Sequence, residues 1–152
     1  MRHLKACARD IFWKFLFLPF LFLAVGCHSF DHEWQEAVKQ PEPVRDIQGA
    51  WQGTWKSEST GHTDKLRCLI SKEGEGKYNA RFKANYHSVM SFSINIPLSV
   101  QQVGGEYQFT GDADLGWLAG GNYHYEGHAI GSNYFSSYAS KYDHGTFQME
   151  RP

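Results

Sequence analysis

Cysteine is scarce and badly placed for cross-linking. Cys7 and Cys27 lie in an amino-terminal segment whose fate is decided by export, which leaves Cys68 alone in the rest of the chain. A disulfide framework is excluded, and a lone thiol of this kind is kept inert by burial. Catalytic signatures are missing too: there is no Gly-x-Ser-x-Gly, no phosphate-binding glycine loop, no Cys-x-x-Cys and no calcium-loop spacing. Asp112, Asp114 and Asp143, near loop ends, read as turn residues, as does Gly61-His62. An enzyme is therefore the least supported class, and no motif asks for a cofactor. Positive charge is also lacking. Residues 1–26 hold four cations and one anion, and without them eleven cations face fifteen anions, a net charge of −4. A domain of that sign is a poor phosphate binder, so nucleic acid is not an expected partner. Helix-favouring runs are few, whereas aromatic residues make up 16% of the chain and glycines number 15. That balance suits strands and tight turns.

Arg2, Lys5 and Arg9 precede an apolar run over residues 15–25. A spanning helix needs about 20 apolar residues, whereas a signal h-region needs roughly 7–15, and the run matches the second. It ends in Ala24-Val25-Gly26-Cys27, which resembles the lipobox of bacterial lipoproteins. The resemblance implies a signal peptide over residues 1–26, lipidation of Cys27, attachment to a membrane through the acyl chains, and a place in the bacterial cell envelope facing the periplasm. An ordinary signal peptide or an uncleaved anchor is the alternative. Residues 27–47 then form a polar tether with Pro41-Glu42-Pro43 near its end. Trp34 and Val38 share a helical face, which allows a short helix over residues 31–39 with Asp31 as N-cap, too short to stand alone.

From residue 48 onward the apolar pattern has a period of two. Over residues 77–86, Tyr78, Ala80, Phe82, Ala84 and Tyr86 fall on one face and Lys77, Asn79, Arg81, Lys83 and Asn85 on the other. Phe92, Ile94, Ile96, Leu98 and Val100 repeat the pattern, with Pro97 pointing outward as at a bulge or bend. Gly104-Gly105 makes a hairpin turn, after which Tyr107, Phe109, Gly111 and Ala113 alternate with polar residues. Further strands are expected over residues 48–57, 65–72, 122–130, 133–140 and 145–151, with Trp51, Gly53, Trp55, Cys68, Tyr123, Tyr125, Phe147 and Met149 inward. About eight short strands joined by turns too short for parallel crossovers make an all-β, antiparallel up-and-down barrel the simplest architecture for residues 48–152. A two-sheet sandwich is the alternative.

Gly49-Ala50-Trp51 and Gly53-Thr54-Trp55 both resemble the first-strand Gly-x-Trp of the lipocalin and calycin superfamily, and Arg151 occupies the place of its last-strand Arg. The resemblance implies an eight-stranded barrel whose Arg packs across the Trp at the closed end. Fold alone does not carry function, and two readings follow from the interior. In one, the barrel binds a small amphipathic or apolar ligand among Tyr78, Phe82, Tyr86, Tyr107, Tyr123 and Tyr125, with Gly53, Ala80, Ala84, Gly111, Ala113, Gly127 and Ala129 leaving room. In the other, the interior is packed and the protein is a structural or interaction lipoprotein. His124, Glu126 and His128 alternate along one strand and are weak metal candidates, because the opposite face better matches a barrel interior.

Overall fold

The computed structural model describes residues 29–40, 46–87, 90–117 and 120–152. Cys27 and the segment read as a signal peptide lie outside the described residues. A short helix, α1 (Phe30–Ala37), precedes eight strands: β1 (Gly49–Ser57), β2 (Thr63–Gly74), β3 (Lys77–Tyr86), β4 (Met90–Val103), β5 (Glu106–Asp114), β6 (Asn122–Ile130), β7 (Asn133–Ala139) and β8 (His144–Glu150). Each strand pairs antiparallel with the next, and β1 pairs with β8, from Gln52↔Glu150 to Ser57↔Gly145, to close the barrel. Closure follows from short connections that allow only antiparallel neighbours, and it pairs each strand on both sides over at least part of its length. The sandwich alternative is thereby overturned. Among the described residues no helix is long and apolar enough to cross a membrane.

The expected faces hold through the middle of the barrel. Trp51, Leu66, Cys68, Ala80, Phe82, Ile96, Phe109, Tyr125, Tyr134 and Phe147 are buried in one continuous core. The Cys68 thiol is wholly inside, and burial pushes its pKa well up, so it stays protonated.

Three features depart from the sequence reading. First, the inward glycines do not leave room. A Cβ on Gly53 would lie 2.0 Å from the Gln148 carbonyl oxygen, one on Gly127 2.2 Å from that of Phe135, and one on Gly111 2.5 Å from that of Pro97. At these points neighbouring backbone occupies the space, as where strands bend sharply in a narrow barrel. Second, Pro97 faces outward without a bulge, since the β3–β4 register is unbroken through Asn79↔Pro97. The irregularity lies in β2, between Lys72 and Gly74. The β4–β5 ladder starts only at Leu98↔Gly111, whereas β4 stays paired with β3 up to Met90 and β5 with β6 up to Asp114. The two strands therefore part toward one end of the barrel.

Third, α1 is not an isolated piece of tether. Its N-cap is Ser29, whose side chain accepts from the His32 N–H, in place of the expected Asp31. Asp31 is thus free to receive Lys83 and Arg67, the latter at 2.7 Å, while Arg81 reaches Glu33. The Phe30 ring lies under the same three cations, with Arg67 at 5.4 Å from its centroid, and Trp34 is buried at 6% exposure. A helix too short to stand alone is held against the outer wall of β2 and β3.

A cavity at the open end

The two ends of the barrel differ in packing. At the end formed by the start of β1 and the chain terminus, the Arg151 guanidinium carbon lies 3.9 Å from the Trp51 ring centroid. Its nitrogens donate to the carbonyls of Gln48 at 2.6 Å and Asp46 at 3.0 Å. Trp51 Nε1 donates to the Ile47 carbonyl at 2.8 Å, and the Tyr134 ring stacks on Phe109 at 4.8 Å. This end is solid. Of the two Gly-x-Trp candidates, Gly49-Ala50-Trp51 is the one covered by Arg151.

The opposite end is hollow. There, beside the parted edges of β4 and β5, a cavity of about 680 Å³ opens between Trp55, Ala84, Tyr86, Phe92, Ile94, Leu115, Tyr123, Tyr125, Tyr138 and Phe147. Its walls are mainly apolar, and its polar groups are Ser93, Asn95, Asp114, Asp143 and the tyrosine hydroxyls. A concave apolar space with a few convergent polar groups is the usual form of a small-molecule site. The tyrosines form a floor and side wall: Tyr123, Tyr125 and Tyr138 lie 6.0–6.4 Å apart, and Tyr138 packs on Phe147 at 5.1 Å. Burial raises the pKa of Tyr125 and of Tyr138, so both are neutral donors at physiological pH.

Asp143 is fixed from three sides. Ser57 Oγ donates to one carboxylate oxygen at 2.7 Å and the Tyr138 hydroxyl to the other at 3.1 Å, while its own N–H donates to Ser140 Oγ at 3.1 Å. The turn chemistry read from the sequence is therefore present, and it also holds a carboxylate at the cavity wall. Among the described residues, no Lys or Arg lines the cavity. On the far rim Trp55 donates to the Asn85 carbonyl at 3.0 Å and stacks with Tyr86. His62, read as a turn residue, packs its ring 5.1 Å from Trp55 and 4.6 Å from Tyr86.

The six residues picked as a ligand set from the sequence do not stay together. Tyr86, Tyr123 and Tyr125 line the cavity. Phe82 lies beneath it, 5.1 Å from Phe147 and 1% exposed. Tyr78 and Tyr107 are at the solid end, because they sit at the other ends of their strands. The phenol of Tyr78 is pushed up to about 12 by burial and by the neighbouring Asp46. Trp55 and Phe147, read from the sequence only as inward residues, and Tyr138, which the sequence places in the strand over residues 133–140 without singling it out, complete the cavity.

His124, Glu126 and His128 are exposed on the outer wall of β6. His124 Nδ1 lies 2.8 Å from Asp112, and His128 Nδ1 lies 3.8 Å from Glu106. Among the described residues no group of three His, Cys, Asp or Glu side chains is placed to hold a metal ion. Comparison of the chain with protein-family models, with curated proteins and with solved structures found no match.

Proposed function

We propose that this protein is a membrane-anchored binding barrel that holds a small, largely apolar molecule at its open end. The observation that carries the reading is the cavity of about 680 Å³ walled by Trp55, Tyr123, Tyr125, Tyr138 and Phe147. The anchor rests on the lipobox-like Ala24-Val25-Gly26-Cys27. The packed-barrel alternative describes the closed half, where Trp51, Phe109 and Tyr134 fill the interior.

The lining also selects the polar end of the ligand. Asp114 and Asp143 supply carboxylates and no Lys or Arg stands beside them in the lining among the described residues, which disfavours a fatty acid and favours an amine or another hydrogen-bond donor. Tyrosine faces beside a carboxylate suit a cation. The test is a thermal-shift comparison of long-chain amines, alcohols and fatty acids of equal length. A ligand of the folded state at 100 times its dissociation constant adds about 2.7 kcal/mol of stability. Amines are expected to raise the melting temperature and fatty acids to leave it unchanged. A shift with none of the three classes overturns the binding reading.

A further inference from the structure

The rim of the open end carries an unusual load of apolar side chains. Trp117 is 85% exposed, Tyr142 68%, Met90 63% and Phe92 44%. They come from three different connections or strand ends, those after β5, after β7 and before β4, yet all stand at the mouth. Toward the solid end the exposed apolar side chains are Val103, Ile130 and, at 37%, Phe135, with no Trp or Tyr as exposed as Trp117 or Tyr142 among the described residues. Tryptophan and tyrosine favour the water–lipid interface because one edge is apolar and the other makes hydrogen bonds. Lys141, 5.3 Å from the Tyr142 ring, adds a side chain able to reach headgroups.

The place of α1 on the wall bears on what covers this rim. Asp31 meets the facing pair Arg67↔Lys83, whereas Glu33 meets Arg81, one step closer to the solid end. Trp34 also meets Arg67 and Phe30 also meets Arg81, so α1 lies on the wall at the level of these three cations, between the mouth and the solid end. Cys27 stands two residues before the N-cap Ser29, a reach of at most about 7 Å for an extended chain. Whether the anchor is an acylated Cys27 or the apolar run before it, the reading of residues 15–27 ties the barrel to the bilayer through a very short piece of chain.

We infer that the exposed rim formed by Met90, Phe92, Trp117 and Tyr142 dips into the bilayer surface, so that the cavity mouth faces lipid. The inference rests on the reading of residues 15–27 as a membrane attachment. An amphipathic ligand then exchanges between the bilayer and the cavity, and the parted edges of β4 and β5 open toward that surface.

The experiment uses the full-length protein, matured in its host, purified in detergent and reconstituted in vesicles of phosphatidylcholine with brominated acyl chains. Trp34, Trp51 and Trp55 are buried and Trp13 belongs to the segment read as removed on maturation, so with Trp13→Phe as a background that covers an uncleaved chain, quenching reports on Trp117. The wild type is expected to be quenched, Trp117→Phe to lose most of that quenching, and Met90→Ser with Tyr142→Ser to weaken it. Trp117 is so exposed that its replacement leaves the fold intact, which the unchanged near-ultraviolet circular dichroism of the buried tryptophans checks. Equal quenching in wild type and Trp117→Phe overturns the inference. Cys27→Ser separates the two layers: its failure to leave the membrane fraction overturns lipidation, while the quenching comparison still judges the rim.

Discussion

Arg151 lies over the Trp51 ring, its guanidinium carbon 3.9 Å from the ring centroid, and ties the end of the barrel to the stretch of chain that leads into β1. The same guanidinium holds the Asp46, Gln48 and Ala50 carbonyls, so one side chain closes the solid end by stacking and by hydrogen bonding at once. A desolvated cation–π contact contributes about 2 kcal/mol and hydrogen bonds to a charged group about 1.5–3, without simple additivity. Arg151→Ala is therefore expected to lower stability by about 2–4 kcal/mol in urea unfolding, with Arg151→Lys losing less but still a measurable part. No change in the unfolding midpoint of Arg151→Ala would show that the closure is ornamental.

The crowded glycines give a sharper test of the barrel geometry than the core residues do. Gly127→Ala drives a methyl group to within 2.2 Å of the Phe135 carbonyl oxygen, whereas Gly74→Ala meets nothing within 4 Å. Overpacking against backbone costs about 1–3 kcal/mol or more, so Gly127→Ala should be clearly destabilised and Gly74→Ala near neutral. Equal melting temperatures for the two variants would refute the close approach of β6 and β7.

Alkali should unfold this protein through its tyrosines. Burial raises the pKa of Tyr125, Tyr134 and Tyr138, and Tyr78 is pushed up to about 12. An unfolded tyrosine titrates near pH 10, so between that value and the folded one the native state holds more protons than the unfolded state. Their contribution is complete below about pH 10 and is lost as pH rises through the folded values. Phenolate absorbance from the buried Tyr125, Tyr134 and Tyr138 is expected to appear only together with unfolding. Titration of these three rings before strand circular dichroism is lost would contradict the burial.

The docking of α1 should respond to acid and to salt. Hydrogen bonds from Lys83 and then Arg67 hold the Asp31 carboxyl below its ordinary value of 3.8. The contribution is present at neutral pH and disappears as pH falls through the folded value. Screening weakens the same exposed pairs. Asp31→Asn, or high salt, should red-shift Trp34 emission while strand circular dichroism persists. An unmoved Trp34 spectrum in Asp31→Asn would show that Phe30 and Trp34 hold the helix without the charges.

Filling the cavity offers a test that does not depend on knowing the ligand. Ala84 lines it and is 4% exposed, so Ala84→Leu takes up space that is empty at the mouth. Stability should change by less than about 1.5 kcal/mol while any amine-induced thermal shift falls away. A strongly destabilised Ala84→Leu would mean that the space beside Ala84 is already filled.

The alternation of apolar and polar residues determined the strands almost unaided, because a side-chain period of two places a buried face without reference to any partner. The strands expected over residues 77–86 and 122–130 match β3 and β6 residue for residue. Short glycine-bearing connections then left an antiparallel meander as the simplest path. What alternation does not carry is height along the barrel. Tyr78 and Tyr123 are both inward by parity, yet one belongs to the solid end and the other to the cavity, since each strand runs opposite to its neighbour and only the register sets the level. The inward glycines likewise read as vacancies in sequence, and only the approach of Gln148, Phe135 and Pro97 fills them. The split between β4 and β5, the capture of α1 by Arg67, Arg81 and Lys83, and the gathering of Trp117 and Tyr142 at one rim join residues far apart in the chain. Contacts of that kind are decided by closure of the barrel, which fixes strand order, register and bend together.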